Sequence, residues 1–355
     1  MRENHILSVA FFGDFVSRTS FRETNDQYVL ALRKLGVDVR TYGREAPLNG
    51  GDKADLLLVH PGFSAGGFNG RSHLRTKYRV IGFKDVLNYS LPGPAAEFEL
   101  RNPSWDFVAL NHIPPALAGA RDGPKLLHWL DGIPDDYAKT PLRETENPVA
   151  RILIWADNSG FDRKGIDLDV EVLKRLQHEG LRFDVLVKSR WVNLIRGVFG
   201  GMANVSVLPH YLDRAGVRRV FDACDILLHL HRGGGLELTP MEAIARGLIT
   251  VVPDAGACKE YANAVNSLLV PTHEWSPDPA MLKERAGDCD GGVGYEADLD
   301  KATERMRFAL KRMHELRVSA RPTARAFARR WGISRVVGRN LQILGEAFPE
   351  LDIPA

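Results

Sequence analysis

Two acidic residues, Glu237 and Glu242, lie beside three consecutive glycines and are the first candidates for chemistry in this chain. The glycines, 233–235, follow the apolar run 225–231, and helical spacing begins at Leu238. A glycine turn between a parallel strand and a helix directs backbone N–H groups outward, next to the positive end of the helix dipole. The pattern therefore predicts a phosphate site. We expect its turn and first helical residues to be Gly235, Leu238, Thr239, Pro240 and Met241.

Glu242 would lie on the first turn of that helix, for which Thr239 is the predicted N-cap and Pro240 a suitable first-turn residue. A carboxylate there can accept two hydrogen bonds from vicinal hydroxyls, as on a ribose. The alternative is that Glu242 complements the helix dipole or faces solvent. The spacing is equally compatible with both interpretations.

The run GGLELTPMEAIARG, residues 234–247, resembles the donor site of GT-B glycosyltransferases, in particular the retaining group 1 family (family 4-like). That family has the form E-G-F-G-L-x-x-x-E-A-M-A-x-G. The following block, through Val270, also resembles the family, so the match is more specific than a short glycine motif. The matching positions of the first block are Gly235, Leu238, Glu242, Ala243, Ala245 and Gly247.

One position departs from the family form. The first Glu of the family falls on Gly234, and Glu237 stands where Gly is usual. The resemblance implies that Glu242 contacts the ribose of a nucleotide sugar and that the first Glu contacts the sugar. We expect either that Glu237 supplies the sugar-side carboxylate from a neighbouring position or that the donor is unusual.

A basic turn, FDRKG at 161–165, resembles the family block whose Arg and Lys hold the donor diphosphate. Lys164 matches the Lys, whereas the Arg position falls on Asn158, so Arg163 is the expected substitute. A cation is needed there because the leaving diphosphate gains charge as the glycosidic bond breaks. The alternative is an exposed basic turn.

Further candidates follow other predicted strands. Lys188 ends the apolar run 183–187, with a surface role as the alternative, and His210 follows 205–208, where the family places the nucleotide base.

In the first half, the resemblance implies a His facing the sugar near the end of 125–131. That position falls on His128 or, in a shifted alignment, beside Asp131. A lone His on an apolar strand is more often a core residue. The predicted catalytic residues are thus Lys164, Glu237, His128 and Asp131.

Apolar runs alternate with helical patterns along most of the chain, which predicts two Rossmann-like α/β domains with parallel sheets and helices on both faces. The first-half strands are predicted at 6–13, 37–42, 55–60, 80–83, 106–111 and 125–131, with a helix at 25–35. The second-half strands are predicted at 152–156, 183–187, 205–208, 225–231 and 248–252, with helices at 168–178, 192–199, 217–223 and 238–246.

The polar segment 140–148 is the predicted linker, which gives an acceptor-side domain at 1–148 and a nucleotide-sugar-binding domain at 149–325. The resemblance implies a GT-B arrangement with a donor and acceptor cleft between the domains. It also implies that a helical segment at 326–355 packs back toward the first domain.

Composition sets further limits. The 355 residues allow two cores, and 44% hydrophobic and 26% charged residues are ordinary for a globular protein. A net charge of +2 argues against a strongly polyanion-binding protein as a whole. Three distant cysteines, no leader pattern and no membrane-length apolar run predict a cytoplasmic location, with peripheral membrane binding as the alternative. Asp288–Asp290 resembles a metal-binding D-x-D but lies in the wrong context, so neither a metal nor a cofactor is predicted.

Residues 301–340 carry twelve Lys or Arg against two acids, Glu304 and Glu315. We interpret them as surface helices with solvated basic faces. The alternative is a basic surface for an anionic acceptor, a membrane or a nucleic acid.

The predicted function is transfer of a sugar from a nucleoside diphosphate donor to an acceptor hydroxyl on a glycan, lipid or small molecule. The resemblance implies retention of configuration without a catalytic metal. Two alternatives remain at this point. One is a catalytically inactive nucleotide-sugar-binding protein, and the other is a glycosyltransferase that acts on modified bases in DNA through the basic segment.

Overall fold

The computed structural model describes residues 6–16, 20–43, 53–60, 76–85, 100–113, 117, 123–145, 147–156, 163–202, 204–276 and 292–353. The chain forms two compact units. The first contains the described residues before Asp136 together with those from Trp331 onward, and the second runs from Asp136 to Arg330.

The described elements follow in chain order. The first-half elements are β1 (Ser8–Phe12), α1 (Ser20–Lys34), β2 (Asp38–Tyr42), β3 (Ala54–Val59), β4 (Tyr78–Asp85), β5 (Phe107–Leu110) and β6 (Lys125–His128), followed by a 3-10 turn at Asp135–Ala138. The next elements are β7 (Arg151–Trp155), α2 (Ile166–His178), β8 (Asp184–Lys188), α3 (Val192–Val198), β9 (Val205–Leu208), α4 (Arg214–Asp222), β10 (Ile226–Leu228), α5 (Leu238–Ala245), β11 (Ile249–Pro253), a 3-10 turn at Gly256–Glu260 and β12 (Leu268–Val270). The last elements are β13 (Thr272–Trp275), β14 (Gly294–Ala297), α6 (Leu299–Lys311), α7 (Met313–Trp331), α8 (Ile333–Ala347) and a 3-10 turn at Pro349–Leu351.

The first unit contains a six-stranded sheet in the order β2-β1-β3-β4-β5-β6, and every described pairing in it is parallel. Val9 of β1, for example, pairs with Val39 of β2 and Leu56 of β3. Helices α1 and α8 pack on one face of this sheet. The strands β3 and β5 are almost wholly buried because both sheet faces are covered, which explains their continuous apolar sequences.

The second unit contains a second parallel sheet, in the order β12-β11-β10-β7-β8-β9. Strands β7 and β10 are neighbours in its centre, with Ile226 paired to Ile152. Because parallel strands share the direction of their carboxyl ends, the segments that follow β7 and β10 meet at the same edge. That edge contains Arg163, Lys164 and Gly165 of the basic turn and the glycine run at 233–235.

Residues 140–145 and 147–148 of the predicted linker pack within the second unit. Asn147 donates to Asp225 Oδ2 at 2.7 Å, and Arg143 forms an ion pair with the same carboxylate. The division between the units therefore falls at Asp136, ahead of the predicted linker. Helix α8 belongs to the first unit, where Val337 and Leu344 join its core.

No helix in the described part of the chain is long and apolar enough to cross a membrane. Cys224 and Cys258 are buried free thiols. Cys289, with the rest of the D-x-D segment, lies outside the described residues, as does Asn158.

Candidate functional site

The candidate site lies at the carboxyl edge of the second sheet, where the turn after β7 packs on the segment after β10. Arg232 N–H donates to the Arg163 carbonyl at 2.8 Å, which joins the two segments. Gly165 has φ 64°, and a Cβ there would lie 2.0 Å from the Leu230 carbonyl oxygen. Only glycine permits both the backbone conformation and this close approach.

Lys164 and Glu237 form a buried ion pair at this edge. Lys164 Nζ donates to both Glu237 oxygens, at 2.7 and 2.8 Å. Burial alone would raise the pKa of Glu237, but the Lys164 charge and a hydrogen bond from His229 outweigh it and hold that pKa well below its usual range. Burial lowers the pKa of Lys164, and Glu237 opposes that effect. The carboxylate is therefore ionised and held next to a cation.

The backbone of Glu237 has φ 56° and ψ 78°, in the left-handed region. A non-glycine residue there costs on the order of 1–3 kcal/mol unless its surroundings impose it. The Lys164 and His229 contacts are such surroundings. Strain of this kind is concentrated at functional sites, so Glu237 is a strong candidate for a functional residue.

Gly234 and Glu237 compete for one volume. A Cβ built on Gly234 would lie only 1.6 Å from Glu237 Oε1. The Glu237 carboxylate thus fills the space that a side chain at position 234 would enter. Glycine at 234 and Glu237 in its present conformation consequently depend on each other.

Two histidines that sequence reasoning did not single out complete the surroundings of this carboxylate. His229 Nε2 lies 3.1 Å from Glu237 Oε2, and the rings of His229 and His231 are 4.8 Å apart. Burial lowers the pKa of both, that of His231 to about 3. They were hidden inside the predicted strand 225–231, and the signal that could have found them is two polar residues in an otherwise apolar run.

A second layer of polar side chains supports the histidines. Tyr295 OH lies 2.9 Å from His231 Nε2. Cys258 Sγ lies 3.8 Å from the same nitrogen and 3.2 Å from Tyr261 OH, which donates to the Glu237 carbonyl at 3.3 Å. Because His231 is neutral, its Nε2 can accept a hydrogen bond from the Tyr295 hydroxyl. The network fixes both the side chain and the backbone of Glu237.

Helix α5 begins at Leu238, as predicted, but the residue before it is Glu237, so the prediction of Thr239 as N-cap is wrong. The left-handed Glu237 turns the chain directly into the helix and leaves Thr239 within the first turn. The first amides of a helix lack intrahelical partners, and Pro240 has no N–H. Leu238 and Thr239 thus supply the N–H groups of this turn, whereas the N–H of Met241 is the first that bonds within the helix, to the carbonyl of the N-cap residue Glu237.

Glu242 follows on α5 and is half-buried. Burial, and then the charge of the Glu242 carboxylate, raise the pKa of Tyr137 well above its usual range. Arg246, one turn later, lies 5.9 Å from the centroid of the Tyr137 ring.

The remaining predicted residues of the second unit differ in their surroundings. Arg163 is buried, and its Nη1 donates to the Gly233 carbonyl at 2.9 Å, so it braces the glycine turn. Lys188 ends β8 and is buried, with Nζ 5.8 Å from the centroid of the Trp155 ring. His210 is exposed and follows β9, the edge strand.

His128 and Asp131 lie in the first unit. His128 ends β6, and its Nε2 is 3.1 Å from the Asn111 carbonyl oxygen. Asp131 is buried and pairs with the fully buried Lys84, whose Nζ is 3.1 Å from His60 Nε2. Burial lowers the pKa of Lys84, and Asp131 opposes that effect.

No group of three or more potential metal ligands was found among the described residues.

Comparison with known proteins agrees with the geometry. Residues 151–285 match the model of the family described as glycosyl transferases group 1. A protein of Sulfolobus islandicus filamentous virus, named "Putative glycosyltransferase 45", is 33% identical over 123 residues. That match covers 34% of this chain and 32% of the viral protein, about a third of each.

Solved structures resemble the whole chain at low identity. A glycosyltransferase from Rickettsia africae has a TM-score of 0.69 at 12% identity, covering 96% of this chain and 98% of its own. Sucrose-phosphate synthase from Thermosynechococcus elongatus has a TM-score of 0.67 at 12% identity, and the match covers 97% of this chain and 100% of that protein. Anabaena HepE, solved with UDP and glucose, has a TM-score of 0.63 at 12% identity, and the match covers 96% of this chain and 100% of that protein. The predicted fold class is confirmed: the chain has two α/β units with parallel sheets and shares the fold of these glycosyltransferase structures. Residues 151–285 are similar to the group 1 glycosyl transferases.

Proposed function

We propose that the protein is a glycosyltransferase that transfers a sugar from a nucleoside diphosphate donor to an acceptor hydroxyl. The observation that carries the proposal is the Lys164–Glu237 pair, 2.7 Å apart, at the turn that leads into α5. A cation and unpaired helix amides suit a diphosphate, and a neighbouring carboxylate suits sugar hydroxyls. The family match of this domain supports the same chemistry.

In this proposal Lys164 and the amides of Leu238 and Thr239 bind the diphosphate, and Met241 lies behind them in the first turn of the helix. They offset the charge that develops on it when the bond to the anomeric carbon breaks, so that no catalytic metal is needed. We assign no protein nucleophile, and retention of configuration remains part of the proposal.

Glu242 would bind the ribose and Glu237 the sugar. The Glu237 carboxylate occupies the space in front of Gly234. This placement favours the alternative in which Glu237 supplies the sugar-side carboxylate from a neighbouring position. Gly235 would lie against the phosphates, and Arg163 braces the glycine turn through the Gly233 carbonyl. Lys188, which ends β8, and His210, which follows β9, would lie on the nucleotide side. The roles of His128 and Asp131 toward the sugar stay predictions for the first unit.

Uridine nucleotides are the first donors to test, because the HepE structure contains UDP and glucose. The acceptor is proposed only as a hydroxyl compound. An acceptor on DNA is less attractive because several cations of the basic segment are already paired: Lys301 with Glu304, Arg307 with Glu179, Arg312 with Glu315 and Arg317 with Asp225.

The test is thermal stabilisation by UDP, ADP, GDP, CDP and their sugar conjugates, with Glu242→Ala and the exposed Glu346→Ala as matched variants. A ligand that binds only the folded state stabilises it by about 2.7 kcal/mol at a hundred times its Kd. We expect one diphosphate to raise the Tm of the wild type and of Glu346→Ala, and to do so much less for Glu242→Ala. No shift with any nucleotide would contradict the proposal. A shift without release of nucleoside diphosphate from the sugar conjugate would instead support an inactive binding protein.

A further inference from the structure

His229 directly follows β10, and its side chain contacts the Glu237 carboxylate. Its backbone N–H donates to the Val251 carbonyl of β11 at 3.1 Å, which ties the residue to the parallel sheet. The residue is 2% exposed, and its ring packs beside the ring of His231, 4.8 Å away. His231 is held in turn by the Tyr295 hydroxyl at 2.9 Å. The imidazole of His229 therefore has a fixed position relative to the sheet.

One hydrogen bond defines the tautomer of His229. Its Nε2 lies 3.1 Å from Glu237 Oε2, whereas its Nδ1 has no hydrogen-bond partner among the residues that the structure describes. Burial lowers the pKa of the ring, so that it is neutral at pH 7. An ionised carboxylate can only accept, so the proton of the neutral ring lies on Nε2 and is donated to Oε2. A permanent N–H donor thus faces one of the two Glu237 oxygens.

The two oxygens of the Glu237 carboxylate have different surroundings. Oε2 accepts from His229 and, at 2.8 Å, from Lys164. Oε1 accepts from Lys164 at 2.7 Å and lies where a Cβ on Gly234 would be. A carboxylate has about four acceptor positions, and the three bonds from described residues leave one of them, on Oε1. Oε1 is therefore the oxygen that can receive a further donor beside the glycine turn.

Lys164 does not define this orientation by itself. Its ammonium donates to both oxygens and lies at the end of a flexible stem, so it does not select which oxygen faces the turn. In the proposed function the same ammonium also binds the diphosphate, and it must divide its three donors between the two groups. The imidazole of His229 is a rigid ring whose one N–H is committed to Oε2.

We propose that His229 is a positioning residue that holds Glu237 Oε2, so that Oε1 faces the sugar of a nucleoside diphosphate donor. The inference rests on the proposed function, because it takes that sugar as the ligand of Glu237. A carboxylate that is already oriented loses less conformational freedom when a sugar hydroxyl donates to it. Because His229 acts through Glu237, its effect is confined to the sugar half of the donor.

This role has a signature that a merely structural histidine would lack. Loss of the His229 N–H should weaken binding of sugar nucleotides and leave binding of the bare diphosphate unchanged. His229→Leu removes the donor and adds no polar group to the buried site. His229→Gln restores a donor at the reach of the histidine Nε2, so it should bind sugar nucleotides as the wild type does. His229→Asn has a shorter side chain whose amide cannot reach Oε2, and it should behave as His229→Leu.

The experiment is calorimetric titration of UDP, ADP, GDP and CDP and of their glucose, mannose and N-acetylglucosamine conjugates. The matched control is Thr303→Val, which removes a hydrogen bond of a buried side chain in the same unit, within α6. A hydrogen bond to a charged group is strong enough that we expect about a tenfold higher Kd of the sugar nucleotide for His229→Leu. The bare diphosphate should bind unchanged. In a Glu237→Gln background, His229→Leu should cause no further loss.

The outcomes separate this inference from the proposed function. If the wild type binds none of these ligands, the proposed function fails and the inference fails with it. If the wild type binds a sugar nucleotide, but His229→Leu weakens the bare diphosphate equally or changes neither Kd, the function stands and the positioning role is refuted. A wild type that binds a diphosphate and none of its conjugates would also refute the role. If His229→Leu does not fold, equal sugar-nucleotide Kd values for His229→Gln and His229→Asn would refute it.

Discussion

Replacing Gly234 with alanine tests whether Glu237 has taken the place of a side chain at position 234. The new Cβ would lie 1.6 Å from Glu237 Oε1, so the carboxylate must leave its present position. It would then lose its contacts with Lys164 and His229. Breaking a buried ion pair costs about 3–5 kcal/mol, and a flexible side chain recovers part of this by moving. We expect Gly234→Ala to lower the free energy of unfolding of the second unit by about 3 kcal/mol.

A second substitution makes the prediction specific. Glu237→Gly leaves Lys164 without its partner at a similar cost, but relieves the left-handed strain, worth about 1–2 kcal/mol. The net loss is about 2–3 kcal/mol. In the variant that combines Gly234→Ala with Glu237→Gly the steric conflict no longer exists. Its stability should equal that of Glu237→Gly, which corresponds to a coupling of about 3 kcal/mol.

Moving the carboxylate back tests the idea in the opposite direction. The double variant Gly234→Glu with Glu237→Gly places a carboxylate at position 234, where it can approach Lys164. We expect this double variant to be more stable than Glu237→Gly alone.

The assay is native-state hydrogen exchange of the amides of β10 and β11, which reports the opening free energy of the second unit. Gly197→Ala is the matched control, because a Cβ there meets no atom within 4 Å. It should be neutral or slightly stabilising, since glycine within a helix is unfavourable. The result that would refute the reasoning is a double variant, Gly234→Ala with Glu237→Gly, whose loss of stability equals the sum of the losses of the two single variants. Position 234 and the Glu237 carboxylate would then not compete for the same space.

Two further predictions concern buried charge. The pKa of His231 is about 3 in the folded protein, against 6.5 for the free side chain. As the pH falls below 6.5, His231 is therefore protonated in the unfolded state before it is protonated in the folded state. The free energy of unfolding should then decrease between pH 6.5 and pH 3, by up to about 1.4 kcal/mol per pH unit. Urea unfolding at several pH values should show a shallower acid loss for His231→Gln than for the wild type, whereas a variant of the exposed His178 should keep the wild-type slope. Asp225→Ala should cost about 3–5 kcal/mol, because it removes the buried carboxylate that pairs with Arg143 and with the buried Arg317. Asp225→Asn should cost less, and equal losses for the two variants would show that the charge is unimportant.

Much of the fold could be predicted because neighbouring residues encode it. Strand β9 has the predicted bounds Val205–Leu208, and α2 ends at His178 as its spacing indicates. The predicted strand at 225–231 is shorter, Ile226–Leu228, because beyond it the Leu230 N–H bonds to the Asp169 carboxylate instead of to a neighbouring strand.

The candidate site was predictable in part. Lys164 and Glu237 were both predicted, from a basic turn and from a displaced carboxylate, and the structure brings them together. The N-cap prediction failed at Thr239 because a glutamate in the left-handed region is rare, and helix propensity gives no reason to expect one.

The sequence by itself determined the alternation of strands and helices, the glycine turn and the residue types of the diphosphate side, because these depend on local periodicity and backbone freedom. Only the tertiary structure decided that the Glu237 carboxylate fills the space before Gly234 and that the same carboxylate pairs with Lys164. Both contacts join residues whose spacing in the chain carries no periodic signal. They exist because packing of the parallel sheet and its helices brings distant side chains into one buried volume, where each charge or hydrogen-bonding group must find a partner.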